Sequence, residues 1–131
     1  MDFLKDNTEA AVALGKRGFR VLLCTEVLPD GECSCPPNSA TRSYQLDSPA
    51  ENLCKKPGKH PQGDDWYKTA TSDEAAIRQR WAPHPGRNIG VATGLDGLVV
   101  IDIDAGEGKH GMQTWQALQK KHGPVPATLI A

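Results

Sequence analysis

Between Thr25 and about Pro61 the sequence loses all hydrophobic periodicity, and Pro29, Pro36, Pro37, Pro49 and Pro57 punctuate it. A structureless stretch of that length inside a small domain is uncommon unless something other than a core orders it, or it is disordered. The same stretch holds three of the four cysteines and a histidine. They read Cys33-x-Cys35, eighteen residues, Cys54, five residues, His60. Thiolates and a neutral imidazole are the ligands of a closed, tetrahedral zinc site, and metal binding can order a loop that has no apolar face to bury. A disulfide framework and unrelated thiols are the competing readings, the first disfavoured in a reducing compartment. His84, His110 and His122 are alternative fourth ligands, but only His60 shares the segment with the thiols. Cys24 ends an apolar run and reads as a small core residue, outside the ligand set.

The flanking sequence is periodic. Thr8 as N-cap, Glu9 in the first turn and Ala10, Ala11 and Leu14 at helical spacing predict a helix over about 8–17, stopped by Gly18. Phe19 to Cys24 reads as a buried strand. Thr71-Ser72-Asp73-Glu74 reads as a capping box opening a helix to about Trp81, with Ile77 and Trp81 inward and Arg78 and Arg80 directed elsewhere. Asn88 to Thr93 and Gly97 to Asp104 read as two strands joined by Gly94-Leu95-Asp96-Gly97, expected to pair antiparallel. A helix follows from about Gly108 to His122, with Met112, Trp115 and Leu118 on one side, and Ala127 to Ala131 begins another strand. The fold class expected is α/β (α+β).

The chain has 131 residues, enough for one compact domain. The longest apolar run, Leu98 to Ile101, is far below the roughly 18 residues of a membrane span. Met1 to Asp6 shows no basic region feeding an apolar stretch, so no signal peptide is expected and the expected compartment is the cytoplasm. Fifteen basic and sixteen acidic residues give a net charge of −1, so no global field draws the chain to nucleic acid. Local concentrations do exist at Lys55, Lys56 and Lys59 and at Arg78, Arg80 and Arg87. Solvated surface is the plain reading of both.

In Leu98-Val99-Val100-Ile101-Asp102-Ile103-Asp104, strand alternation would set Asp102 and Asp104 on one face. Adjacent carboxylates repel, and a divalent cation removes that cost; oxygen ligands suit magnesium or manganese. The alternative is two hydrated aspartates at a strand end.

Arg17-Gly18-Phe19, the Cys-x-Cys loop, Gly58-Lys59-His60-Pro61, Asn88-Ile89-Gly90-Val91-Ala92-Thr93-Gly94 and Gly97 to Asp104 occur in that order. This order resembles the N-terminal part of the bifunctional primase–polymerase (prim-pol) domains, in the archaeo-eukaryotic primase superfamily, over about residues 8–131. The resemblance implies an αβ module with a zinc loop (about 25–61) and the start of an RRM-like catalytic sheet, whose strand 97–104 bears the metal carboxylates. It implies DNA primase and DNA polymerase activity, a nucleotidyl transfer in phage or plasmid replication. Asp102 and Asp104 would bind catalytic magnesium or manganese, and Cys33, Cys35, Cys54 and His60 structural zinc. Lys59, with Lys55 and Lys56, would contact nucleotide or nucleic acid. The implied partners are a single-stranded template or primer-template, nucleoside triphosphates and a fused or partner helicase, with no membrane.

Family members continue past a strand like Ala127–Ala131 into a histidine and a third metal-binding aspartate. Residues 1–131 are therefore expected to be the first part of the catalytic domain and to be inactive in isolation. A non-catalytic, zinc-stabilised module that binds DNA or a replication partner is the alternative. A nucleotide-sugar transferase also uses Asp-x-Asp, but it explains neither the cysteine loop nor Gly58-Lys59-His60-Pro61.

Overall fold

The structure, a computed structural model, describes residues 6–36, 54–63, 65–94 and 98–128. The elements run α1 (Thr8–Lys16), β1 (Val21–Cys24), α2 (Trp66–Thr69), α3 (Glu74–Trp81), β2 (Asn88–Val91) and α4 (Gly111–His122). They fall into two compact units, Met1–Gly97 and Leu98–Ala131. This is a small mixture of helices with a two-stranded antiparallel sheet, compatible with an α+β class.

In the first unit α1 starts at Thr8, but its cap differs from the expectation. Asn7 is the N-cap, and Asp6 Oδ1 accepts from the Thr8 N–H at 2.9 Å. The Asn7 amide is used elsewhere, donating to the Arg87 carbonyl at 2.9 Å and so tying the helix start to the approach of β2. Gly18, at φ +89°, ends the helix as expected. The cap of α3 is Asp73, whose carboxylate accepts from Ala76 N–H at 2.8 Å, while Thr71 Oγ1 accepts from Asp73 N–H. Ile77 and Trp81, one helical turn apart, are fully buried with Ala11, Val12 and Val21. Gly15 lets the helices close together: a Cβ there would lie 2.6 Å from Ile77 Cδ1 and 3.0 Å from the Ser72 carbonyl oxygen.

β1 is the centre of this unit. One edge pairs antiparallel with β2, Val21 opposite Val91 and Cys24 opposite Asn88. The other edge is bridged by Thr71 opposite Val21 and by Pro61 opposite Cys24. β2 pairs with the distant β1, a partner the hairpin expectation did not include, while 98–104, its expected partner, forms no strand among the described residues. That pairing joins two apolar strands over one core, with Leu23, Ile89 and Val91 packed against Trp81 and its neighbours. Residues 95–97, the expected turn, lie outside the described residues.

In the second unit, Leu98 to Asp104 forms no strand among the described residues, and Val99, Val100 and Ile101 are exposed. Asp104 and Gly111 close a loop, the Gly111 N–H donating to the Asp104 carbonyl at 3.1 Å. A Cβ on Gly111 would meet that oxygen at 2.3 Å, so the closure needs glycine. α4 then runs to Gly123 at φ +94°, with Lys120, Lys121 and His122 at its negative end. Met112 and Leu118 of this helix are both exposed. Residues 127 and 128 form no strand, and 129–131 lie outside the described residues.

Candidate metal centre

Residues 26–34 of the proline-rich stretch form a tight reversal. The Leu28 N–H donates to the Glu32 carbonyl at 2.7 Å, Gly31 turns at φ +86°, and Asp30 Oδ1 accepts from the Glu32 N–H. Val27 then bridges Cys33, and Glu26 and Ser34 exchange backbone and hydroxyl hydrogen bonds. This reversal sends Cys33 and Cys35 inward, where they are 2 % and 4 % exposed. From the other side the turn 54–60 delivers Cys54 and His60, anchored where the Thr25 N–H donates to the His60 carbonyl at 2.9 Å. Residues 37–53, between the two arms, lie outside the described residues.

The four ligand atoms of Cys33, Cys35, Cys54 and His60 lie within 4.8 Å of one another. His60 Nε2 stands 3.4 Å from Cys33 Sγ and 3.5 Å from Cys54 Sγ. A tetrahedral zinc with ordinary bond lengths sets a sulfur–nitrogen edge of about 3.6 Å and sulfur–sulfur edges of about 3.8 Å. One nitrogen facing two sulfurs is poorly served by a single N–H, which cannot be linear to both. A cation between them satisfies all three. The donor set thus fits a metal such as zinc, and no cysteine among the described residues forms a disulfide. Within the first unit, His84 is not part of the group among the described residues.

The surroundings favour thiolate. Burial pushes the Cys33 thiol up, but hydrogen bonds from the Thr25 hydroxyl, the Gly58 and Cys35 backbone N–H groups and His60 outweigh it. Together they bring it down to about 6. Cys24, at the end of β1, has only burial acting on it, which raises it, as befits a core thiol.

Sequence reasoning missed the residues that hold this centre in place. Asn88 Nδ2 donates to the Gly58 carbonyl at 2.9 Å, and the Gly58 N–H donates to Cys33 Sγ at 3.4 Å. Arg87, seen in sequence as part of a surface basic cluster, is largely buried. Its Nε lies 3.5 Å from Glu26 Oε1, and its Nη1 donates to the Ser34 hydroxyl. Its cluster mates are committed too: Arg78 pairs with Glu9 and Glu74, and Arg80 donates to the Thr69 carbonyl. The available signal was position, since Arg87-Asn88 immediately precedes and opens β2. Lys55, Lys56 and Lys59 are exposed on the turn between Cys54 and His60.

Asp102 and Asp104 are exposed in the second unit, and Asp104 Oδ2 lies 3.6 Å from Lys109 Nζ. Neither belongs to a group of three or more metal-capable side chains among the described residues.

A family model described as bifunctional DNA primase/polymerase, N-terminal, matches residues 11–131. The chain belongs to this family. Membership implies a primase/polymerase-type role in DNA replication, with DNA and nucleotides as substrates and nucleotidyl transfer as the reaction class. No curated protein and no solved structure matches the chain. No helix among the described residues is long and apolar enough to cross a membrane.

Proposed function

We propose that residues 1–131 are the N-terminal part of a catalytic domain that starts or extends a DNA primer on a single-stranded template. The setting is phage or plasmid replication in the cytoplasm, beside a fused or partner helicase. The observation that carries this is the family match over residues 11–131, which includes both the cysteine loop and Ile-Asp-Ile-Asp. The first unit corresponds to the αβ module, and the run 97–104, which forms no strand among the described residues, to the segment that bears the metal carboxylates at the start of the catalytic half.

Zinc at Cys33, Cys35, Cys54 and His60 is structural, because all four positions of a tetrahedron are filled by protein and none is left for substrate. Asp102 and Asp104 hold magnesium or manganese, hard cations suited to exposed carboxylate oxygens. Such ions supply neutralisation of charge at the attacking hydroxyl and the leaving pyrophosphate. Lys55, Lys56 and Lys59 contact the phosphates of template or triphosphate, on a turn that the adjacent ligands Cys54 and His60 keep ordered. The isolated 131-residue chain does not polymerise, since two exposed carboxylates, one facing Lys109, leave a weak magnesium site.

The test is template-dependent nucleotide incorporation by the longest gene product carrying these residues, beside its Asp102→Ala and Asp104→Ala variants. Incorporation by the parent and loss in both variants is expected. Incorporation that survives both substitutions refutes the assignment of the carboxylates. A parent that binds DNA without incorporating leaves only the binding module.

A further inference from the structure

Two large aromatic side chains stand exposed on the segment that follows the lysine turn in sequence. Trp66 is 36 % and Tyr67 44 % exposed, whereas Trp81 of the same unit is fully buried. Both sit on α2, a four-residue helix whose position follows from its anchors. Pro61 bridges Cys24 at one end of β1 and Thr71 bridges Val21 at the other, points about 10 Å apart along a strand. The chain between them is much longer than that span, so it must bow outward, and α2 is the bow.

The bow is held, not loose. Arg20 donates twice to the Ala70 carbonyl at 2.9 and 3.1 Å, Thr69 Oγ1 to the Trp66 carbonyl, and Arg80 to the Thr69 carbonyl. Trp66 and Tyr67 meet edge to face at 5.9 Å, and Lys68 Nζ lies 5.4 Å over the Tyr67 ring. Asp65 pairs with Lys68 at 2.9 Å, but both side chains are more than 60 % exposed, so a competing phosphate displaces that contact at little cost. A cleft lined by Leu22, Leu23, Gln62, Thr69 and Arg80 opens at the C-terminal end of the same helix. His60, which closes the turn bearing Lys55, Lys56 and Lys59, precedes Pro61 on this same edge of β1.

We propose that Trp66 and Tyr67 are a stacking platform for the bases of single-stranded DNA, whose phosphates run along Lys68 and the 55–59 lysine turn. This rests on the DNA-replication reading and adds a binding surface to it. Stacking aromatics beside a basic track are how proteins hold single strands without reading sequence, because every base has a flat face. A protein partner fits less well, since Lys68 over the Tyr67 ring and the exposed lysines at 55, 56 and 59 match phosphates.

The experiment titrates the full 131-residue chain with labelled single-stranded oligothymidylate over a salt series, following anisotropy and tryptophan emission. Trp66→Ala with Tyr67→Ala should weaken binding about 10- to 100-fold while leaving the salt slope unchanged. Alanine at Lys55, Lys56 and Lys59 should instead flatten the slope. Trp66→Phe with Tyr67→Phe should restore most of the affinity, and DNA should quench emission in the parent but not in Trp66→Phe, which keeps the fold. Parent-like affinity in the double alanine variant, or equal quenching in Trp66→Phe, overturns the platform and leaves the replication reading standing. No binding by any variant, the parent included, overturns the platform together with the proposed lysine contacts.

Discussion

The backbone N–H of Gly58 donates to Cys33 Sγ at 3.4 Å, so a glycine of the lysine turn is part of the support of the metal centre. Gly58 turns at φ +70°, and a Cβ there would lie 3.0 Å from Val27 Cγ2 and 3.1 Å from Asn88 Nδ2. Left-handed backbone costs an L-residue about 1–2 kcal/mol. Gly58→Ala should therefore displace the donor and lower zinc affinity by about 10- to 100-fold, the usual loss when a ligand's hydrogen-bond partner is disturbed. Competition against a chromophoric chelator measures it, and unchanged affinity refutes the supporting role.

Protein purified without added metal should carry about one equivalent of zinc by elemental analysis, as a closed four-ligand site implies. Chelation should lower the melting temperature and expose residues 26–36 and 54–60 to proteases, because metal binding can order a segment that has no apolar face to bury. Cys24→Ser should leave zinc content unchanged while lowering stability through a hydroxyl placed in the core. Zinc lost on Cys24→Ser would put that thiol in the ligand set.

Arg87 links the reversal 26–34 to the start of β2, and among the described residues its Nε has no hydrogen-bonding partner apart from the nearby Glu26 carboxylate. Arg87→Ala should destabilise the zinc-loaded chain by about 2 kcal/mol, the scale of hydrogen bonds involving a charged group. Arg87→Lys should recover little, because an ammonium cannot reach Glu26 and Ser34 in the geometry of a planar fork. Chemical denaturation at fixed zinc reads both values.

The α1–α3 contact sets two effects against each other at Gly15. Alanine is favoured over glycine in a helix by up to about 1 kcal/mol. Its Cβ would nevertheless press on the Ser72 carbonyl, which is backbone and cannot swing aside as the tip of Ile77 can. Gly15→Ala should therefore be destabilising overall, by about 1–3 kcal/mol. Trp81→Ala, which empties the centre of the same core, should cost about 3–5 kcal/mol. A stabilised Gly15→Ala chain would mean that the helices separate easily.

Hydrogen bonds from Arg78 to Glu9, and from Lys16 and Arg78 to Glu74, hold both carboxyls below the usual carboxylate range. Groups whose folded-state values are depressed contribute stability above their unfolded values, and it is lost as pH falls through the folded ones. Arg78→Ala should thus weaken the chain at neutral pH and low salt, the difference closing in acid and shrinking at high salt. Parallel melting curves against pH for parent and variant check this; a gap that widens in acid would contradict it.

Local chemistry alone was enough to mark α1, α3 and α4 and to single out the side chains that come together as the candidate metal centre. Asp73 and Gly18 mark helix ends by satisfying or redirecting backbone groups within a few residues, and Ile77 and Trp81 share a face by helical geometry. Cys33, Cys35, Cys54 and His60 stood out because one aperiodic segment held every ligand it needed. Tertiary structure decided what depends on contacts distant in sequence. The apolar run at Asn88 to Val91 does not announce its pairing with Val21–Cys24, which rests on the core that the two strands share over Trp81. Arg87 reads as a surface charge until its guanidinium is found between Glu26 and Ser34, and Gly58 as a turn residue until its N–H is found on Cys33. The α2 bow carries no periodicity at four residues, and it exists because Pro61 and Thr71 are pinned to opposite ends of one short strand.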